Sequence, residues 1–121
     1  MRDIAADRSD HCNGDLPAGT SMTWSRDGGL LTVFLAGDLD GGVSTALHAR
    51  LYDLLTADPA DKIVLDLAGV PFCDASGARV LTAAHHLATS RGADCRARRA
   101  QPSVAWLLRL THAAHLLALD D

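Results

Sequence analysis

The residues that most restrict what this chain can fold into lie between positions 62 and 92. Lys62-Ile63-Val64-Leu65-Asp66-Leu67 is a short, nearly continuous apolar run bounded by turn-forming residues. Such a run suits a strand in the interior of a sheet, and it is expected to be buried on both faces. A loop over 68–73 follows, and Asp74 then stands as a helix-starting cap before Val80, Leu81, Ala84, Leu87 and Ala88, which recur at helical spacing. Gly92 supplies the stop. The spacing predicts a helix over 75–90 directly after an interior strand, so helices must pack on a sheet.

The flanking sequence extends this pattern. Ser21-Met22-Thr23-Trp24 and the run 30–35 are apolar stretches separated by Asp27-Gly28-Gly29, the turn chemistry of an antiparallel hairpin. After Gly37-Asp38-Leu39-Asp40 and the pair Gly41-Gly42, the residues Val43, Leu47, Leu51, Leu54 and Leu55 place one apolar stripe on a helix. That helix ends near Ala57, where Asp58-Pro59 stops it. Residues 93–99 form a further strand, Pro102 opens a short helix carrying Val104, Leu107 and Leu108, and 115–119 is a candidate last strand. The order is ββαβαβα with a candidate final β. The expected class is α/β, a mixed β-sheet with an N-terminal hairpin and amphipathic helices packed on it. Residues 1–20 are polar without hydrophobic period and are expected to form a flexible N-terminal tail, leaving 21–121 as one domain.

Charge and composition exclude several functions. A net charge of -4 disfavours binding that rests on phosphate neutralisation, so no direct contact with nucleic acid is expected. Arg96, Arg98 and Arg99 lack interleaved aromatics and fit a solvated strand end. No apolar run approaches a membrane span, and Met1-Arg2-Asp3-Ile4 leads into polar residues and not into a signal-peptide core. A cytoplasmic location is therefore expected. Cys12, Cys73 and Cys95 include no close pair and are expected to be free thiols. Asp38, Asp40 and Asp74 match no calcium loop, and the histidines make no zinc framework, so no metal or cofactor is expected. Ser76 lacks a nucleophile elbow and has no readable pairing with His48, His85, His86, His112 or His115, which speaks against a hydrolase and against an enzyme generally. His85-His86 is expected to straddle packed and solvated faces of its helix.

A helix start exposes unpaired N–H groups and the positive end of a dipole, but Asp74-Ala75-Ser76-Gly77 alone is no more than a good cap. Its setting is more informative. The stretch from Val64-Leu65-Asp66-Leu67 through Phe72-Cys73-Asp74-Ala75-Ser76-Gly77 to Val80-Leu81 resembles the signature of the STAS domain family, of the anti-sigma-factor antagonist type. Gly37-Asp38-Leu39-Asp40 resembles the family's segment before the first helix, and 102–111 is similar to its short penultimate helix. His112 stands where the family often has a helix-ending glycine. The resemblance covers about 21–119.

What the resemblance implies is a protein switch. In the family's bacterial members the unphosphorylated domain binds an anti-sigma factor that is also a serine kinase, and phosphorylation of a serine at the helix start ends the binding. It implies a partner-binding surface at Asp40, Asp74, Ala75, Ser76, Gly77, Ala78 and Arg79, with Asp66 in support. The usual motif is Asp-Ser-Ser/Thr-Gly, with the first hydroxyl residue phosphorylated. Here that place is held by Ala75, which has no acceptor oxygen. Two expectations follow: either the chain is permanently binding-competent, or Ser76 substitutes as phosphoacceptor. Similar STAS domains also serve as accessory subunits of lipid transporters and in stress-signalling assemblies. Self-association is left open.

Overall fold

The computed structural model describes residues 16–17, 19–57, 59–111 and 113–117. Strands β1 (Ser21–Asp27) and β2 (Leu30–Ala36) form the hairpin, followed by α1 (Ser44–Ala57), β3 (Lys62–Gly69), α2 (Ala75–Ser90), β4 (Asp94–Arg98) and α3 (Pro102–Leu110). The sheet order is β1-β2-β3-β4, with β1 antiparallel to β2 and both later pairs parallel. This is the expected mixed sheet. Asp27 pairs with Leu30 across a two-residue loop whose first member, Gly28, has φ of 61°. That left-handed conformation is why glycine stands there.

Register puts every buried strand residue on one face. Met22 lies opposite Leu35, Leu31 opposite Ile63, Val33 opposite Leu65, and Leu65 opposite Ala97. Leu47, Leu51 and Leu55 of α1, Val80, Leu81, Ala84 and Ala88 of α2, and Val104 and Leu108 of α3 join these residues in one core. The expectation that 62–67 is buried on both faces is corrected. Burial along β3 alternates, with Ile63, Leu65 and Leu67 buried and Val64 and Asp66 only half-buried. Because the helices share a single face, the other side of this interior strand keeps partial access to water.

The helix over 75–90 ends as the sequence predicts. Gly92 has φ of 85°, its N–H donates to Thr89 O, and Ala93 N–H donates to Ala88 O. This double closure is a Schellman motif. The candidate last strand is corrected over its described residues, since Ala114–Leu116 forms a 3-10 turn and Leu117 makes an isolated parallel bridge to Ala97. The turn drives Leu116 fully into the core, which costs the segment its extended run. Residues 118–119 of that stretch, with Cys12, Asp58 and His112, lie outside the described residues. So does most of the expected tail; within 16–20, Leu16 packs against the core and Thr20 N–H donates to Pro17 O. Among the described residues no helix is long and apolar enough to cross a membrane.

Candidate functional site: the start of α2

Two loops are zipped together beneath the start of α2. Gly37 N–H donates to Gly69 O, Leu39 N–H donates to Phe72 O, and Asp74 N–H donates back to Leu39 O. Leu39 and Cys73 form a parallel bridge. The first turn of α2 then lies directly on Leu39, and Gly77 makes that approach feasible. A Cβ at residue 77 would sit 2.9 Å from Cys73 Sγ and 2.9 Å from Leu39 Cβ, and closer still to Leu39 O. Gly77 is thus required by packing.

Asp74 is the N-cap, with φ of -105° and ψ of -173°. Its Oδ1 accepts from Gly77 N–H at 3.0 Å and from Ser76 Oγ at 2.6 Å. The Ser76 hydrogen bond, followed by that of Gly77, holds the Asp74 carboxyl below its ordinary pKa against a small opposing effect of burial. On the α1 side, Val43 N–H and Ser44 N–H both donate to Asp40 O, and Gly42 N–H donates to Asp40 Oδ1 at 2.9 Å. Asp40 therefore builds the turn that starts α1. Ser44 Oγ lies 2.7 Å from Asp40 O and 2.9 Å from Ser76 Oγ. Its single hydroxyl proton serves one of these acceptors at a time. A polar chain consequently links the two helix starts, from Asp40 through Ser44 and Ser76 to Asp74.

The predicted site residues divide by exposure. Ala75 and Arg79 are exposed, Asp40, Asp74 and Ser76 are half-buried, and Gly77 and Ala78 are buried. The last two shape the helix start from within. Asp66 is not brought to the site. It lies on the helix-free face of the sheet, where Oδ1 accepts from Ala68 N–H at 3.0 Å and Oδ2 pairs with Arg99 Nε at 3.3 Å. Its need for partners is met structurally. Arg99 itself holds a left-handed φ of 60°.

Three residues absent from the sequence-based set border the site. Ser44 joins the polar chain, and a serine opening a helix after Gly41-Gly42 was the signal for it. His48 lines an open groove of about 730 Å³ between α1 and α2 that begins at Ala75 and Ser76. Phe72 is 50% exposed two positions before the cap, and an aromatic in a strand-to-helix loop was its signal. Cys73 beneath the helix start is buried, and burial followed by the neighbouring Asp74 charge pushes its thiol up to about 11. Cys95 is pushed up to about 12, chiefly by burial. Both are free and poor nucleophiles. His85 is half-buried with Nδ1 2.9 Å from Cys95 O, whereas His86 is exposed.

A sheet covered on one face by helices, with a capped helix start on a loop zipper, defines a domain class that the sequence itself confirms. The model of the STAS domain family matches residues 22–121, and the chain belongs to that family. Among solved structures, the anti-sigma factor antagonist SpoIIAA in its unphosphorylated form superposes with a TM-score of 0.70 at 12% identity, over 81% of this chain and 86% of that one. An anti-sigma factor antagonist from Mycobacterium paratuberculosis gives 0.72 at 21% identity, over 87% and 92%. The murine Slc26a9 anion transporter gives 0.60 at 17% identity, over 75% of this chain but 14% of the transporter. At these identities the likeness establishes a shared fold. No curated protein sequence matches the chain.

Proposed function

We propose that this chain is an anti-sigma-factor antagonist that docks onto an anti-sigma factor of the serine-kinase type and is permanently competent to bind. The observation that carries the reading is the exposed methyl of Ala75 at the first position of α2, in the place where the family resemblance calls for a phosphorylated hydroxyl. Without that oxygen, the charge of about -1.5 to -2 that phosphate brings never enters the interface. Contacts come from Ala75 and Arg79, with the accessible parts of Asp40, Asp74 and Ser76. The chain acts as a binding domain and not as a catalyst, needs no cofactor, and works in the cytoplasm where its ATP-using partner works.

Ser76 does not take over the switch in this reading. Its hydroxyl donates to Asp74 at 2.6 Å and lies 2.9 Å from Ser44 Oγ, so a transfer to it has to break a cap contact and place a dianion beside the Asp74 carboxylate. The test is a titration of this protein into a complex of sigma factor and a purified serine-kinase-type anti-sigma factor with ATP present. Sigma factor is released and stays released. If release decays as ATP is consumed, the permanent state is wrong; if the protein captures a transporter ATPase and ignores the anti-sigma factor, the docking assignment is wrong.

A further inference from the structure

Resting on that docking assignment, we infer that the groove between α1 and α2 receives an amphipathic helix of the partner whose acidic edge pairs with Arg79. The groove starts at Ala75 and Ser76, passes Arg79 and Ala83, and reaches His86, with His48 on the α1 wall. A second hollow of about 200 Å³, sharing His48, Val80 and Ala83, continues it to Tyr52 and Leu87. From residue 75 to residue 87 the helical rise amounts to about 18 Å, which matches roughly three turns of an incoming helix. Its floor of alanine and valine side chains lets a partner's apolar residues settle between the two helices.

Charge selects the occupant. The ionisable side chains lining the larger hollow are His48, Arg79 and His86, and no carboxylate lines it, although the whole chain carries -4. Arg79 is exposed and has no hydrogen bond or ion pair among the described residues. With the Arg79 cation and no carboxylate in its lining, the groove complements the acidic edge of a helix laid along it. A second copy does not fit this requirement, because α1 carries Asp53 as its single carboxylate and α2 and α3 carry none. The same geometry explains why position 75 suits a switch. A phosphate there lies one helical turn from Arg79 and competes with the partner's carboxylate for the guanidinium.

Calorimetric titration of a purified serine-kinase-type anti-sigma factor with the parent protein, Arg79→Glu, Ala83→Trp and Ala75→Arg tests this, with thermal melts confirming that each variant folds. Arg79→Glu is expected to weaken binding about tenfold or more, with a flatter salt dependence. Ala83→Trp fills the groove and is expected to weaken binding by a similar factor at all salt concentrations. A Lys replacement at one acidic position of the partner's helix should restore binding to Arg79→Glu. If Ala75→Arg abolishes binding while Arg79→Glu and Ala83→Trp bind like the parent, the groove is not the seat, and docking at the helix start stands. If the parent does not bind at all, the docking assignment fails and the groove assignment with it. Loss of self-association by Arg79→Glu in sedimentation, with partner binding unchanged, would assign the groove to a second copy and overturn the inference.

Discussion

One carboxylate oxygen of Asp74 accepts both the Gly77 N–H and the Ser76 hydroxyl, so this residue links local stability to the shape of the docking surface. Asp74→Ala removes the cap and is expected to destabilise the fold by about 1 kcal/mol in denaturant melts. Asp74→Asn keeps an acceptor oxygen and is expected to cost only a few tenths of that. The two variants also differ from the parent in acid. A carboxyl whose folded pKa lies below its unfolded value stabilises the fold above the unfolded pKa, and that contribution is lost as pH falls through the folded pKa. The parent should therefore lose stability on acidification more steeply than Asp74→Asn below the ordinary Asp range. Parallel curves for the two proteins would mean that the carboxylate is not the acceptor that matters.

Two glycines mark the ends of α2 for different reasons, and substitution separates them. Gly92 lies in the left-handed region with open space around it, so Gly92→Ala pays a conformational cost of about 1–2 kcal/mol and nothing else. Gly77 has no such backbone requirement; its added Cβ meets Leu39 and Cys73, and overpacking of this kind costs about 1–3 kcal/mol. Gly77→Ala should also weaken partner binding, because the helix start must shift off Leu39, whereas Gly92→Ala leaves binding unchanged. Equal binding by both variants would contradict the packing role of Gly77. The sequence discloses the Asp74 cap, the Gly92 stop and the hairpin glycines because each depends on neighbours a few residues away. It does not disclose that residue 77 faces Leu39, since that contact joins segments far apart in the chain. The place of Asp66 is legible in its alternation with Leu65 and Leu67, which sends its side chain to the opposite face, but the nearly continuous apolar character of 62–67 masks that alternation. The shape of the C-terminal segment depends on Leu116 finding the core, which no local pattern announces.

At the scale of the whole molecule, the three α-helices among the described residues lie on one face of the four-stranded sheet of β1–β4, and the two helix starts at Asp40–Ser44 and Asp74–Ser76 meet at one end of that layer. Among the described residues the first strand begins at Ser21, and Leu16, within the expected tail, packs against the core. The overall charge is -4, whereas the groove beside α2 is lined by Arg79 and by no carboxylate, and on that contrast the inferred acidic partner rests. In the proposed function a single missing oxygen at Ala75 makes this surface constitutive. The most direct test is the intact mass of the parent and of Ala75→Ser after parallel incubation with the same serine-kinase-type anti-sigma factor and ATP. Ala75→Ser is expected to gain one phosphoryl group and lose its hold on the kinase, while the parent gains none and stays bound. Stoichiometric phosphate on the parent would contradict the proposed function.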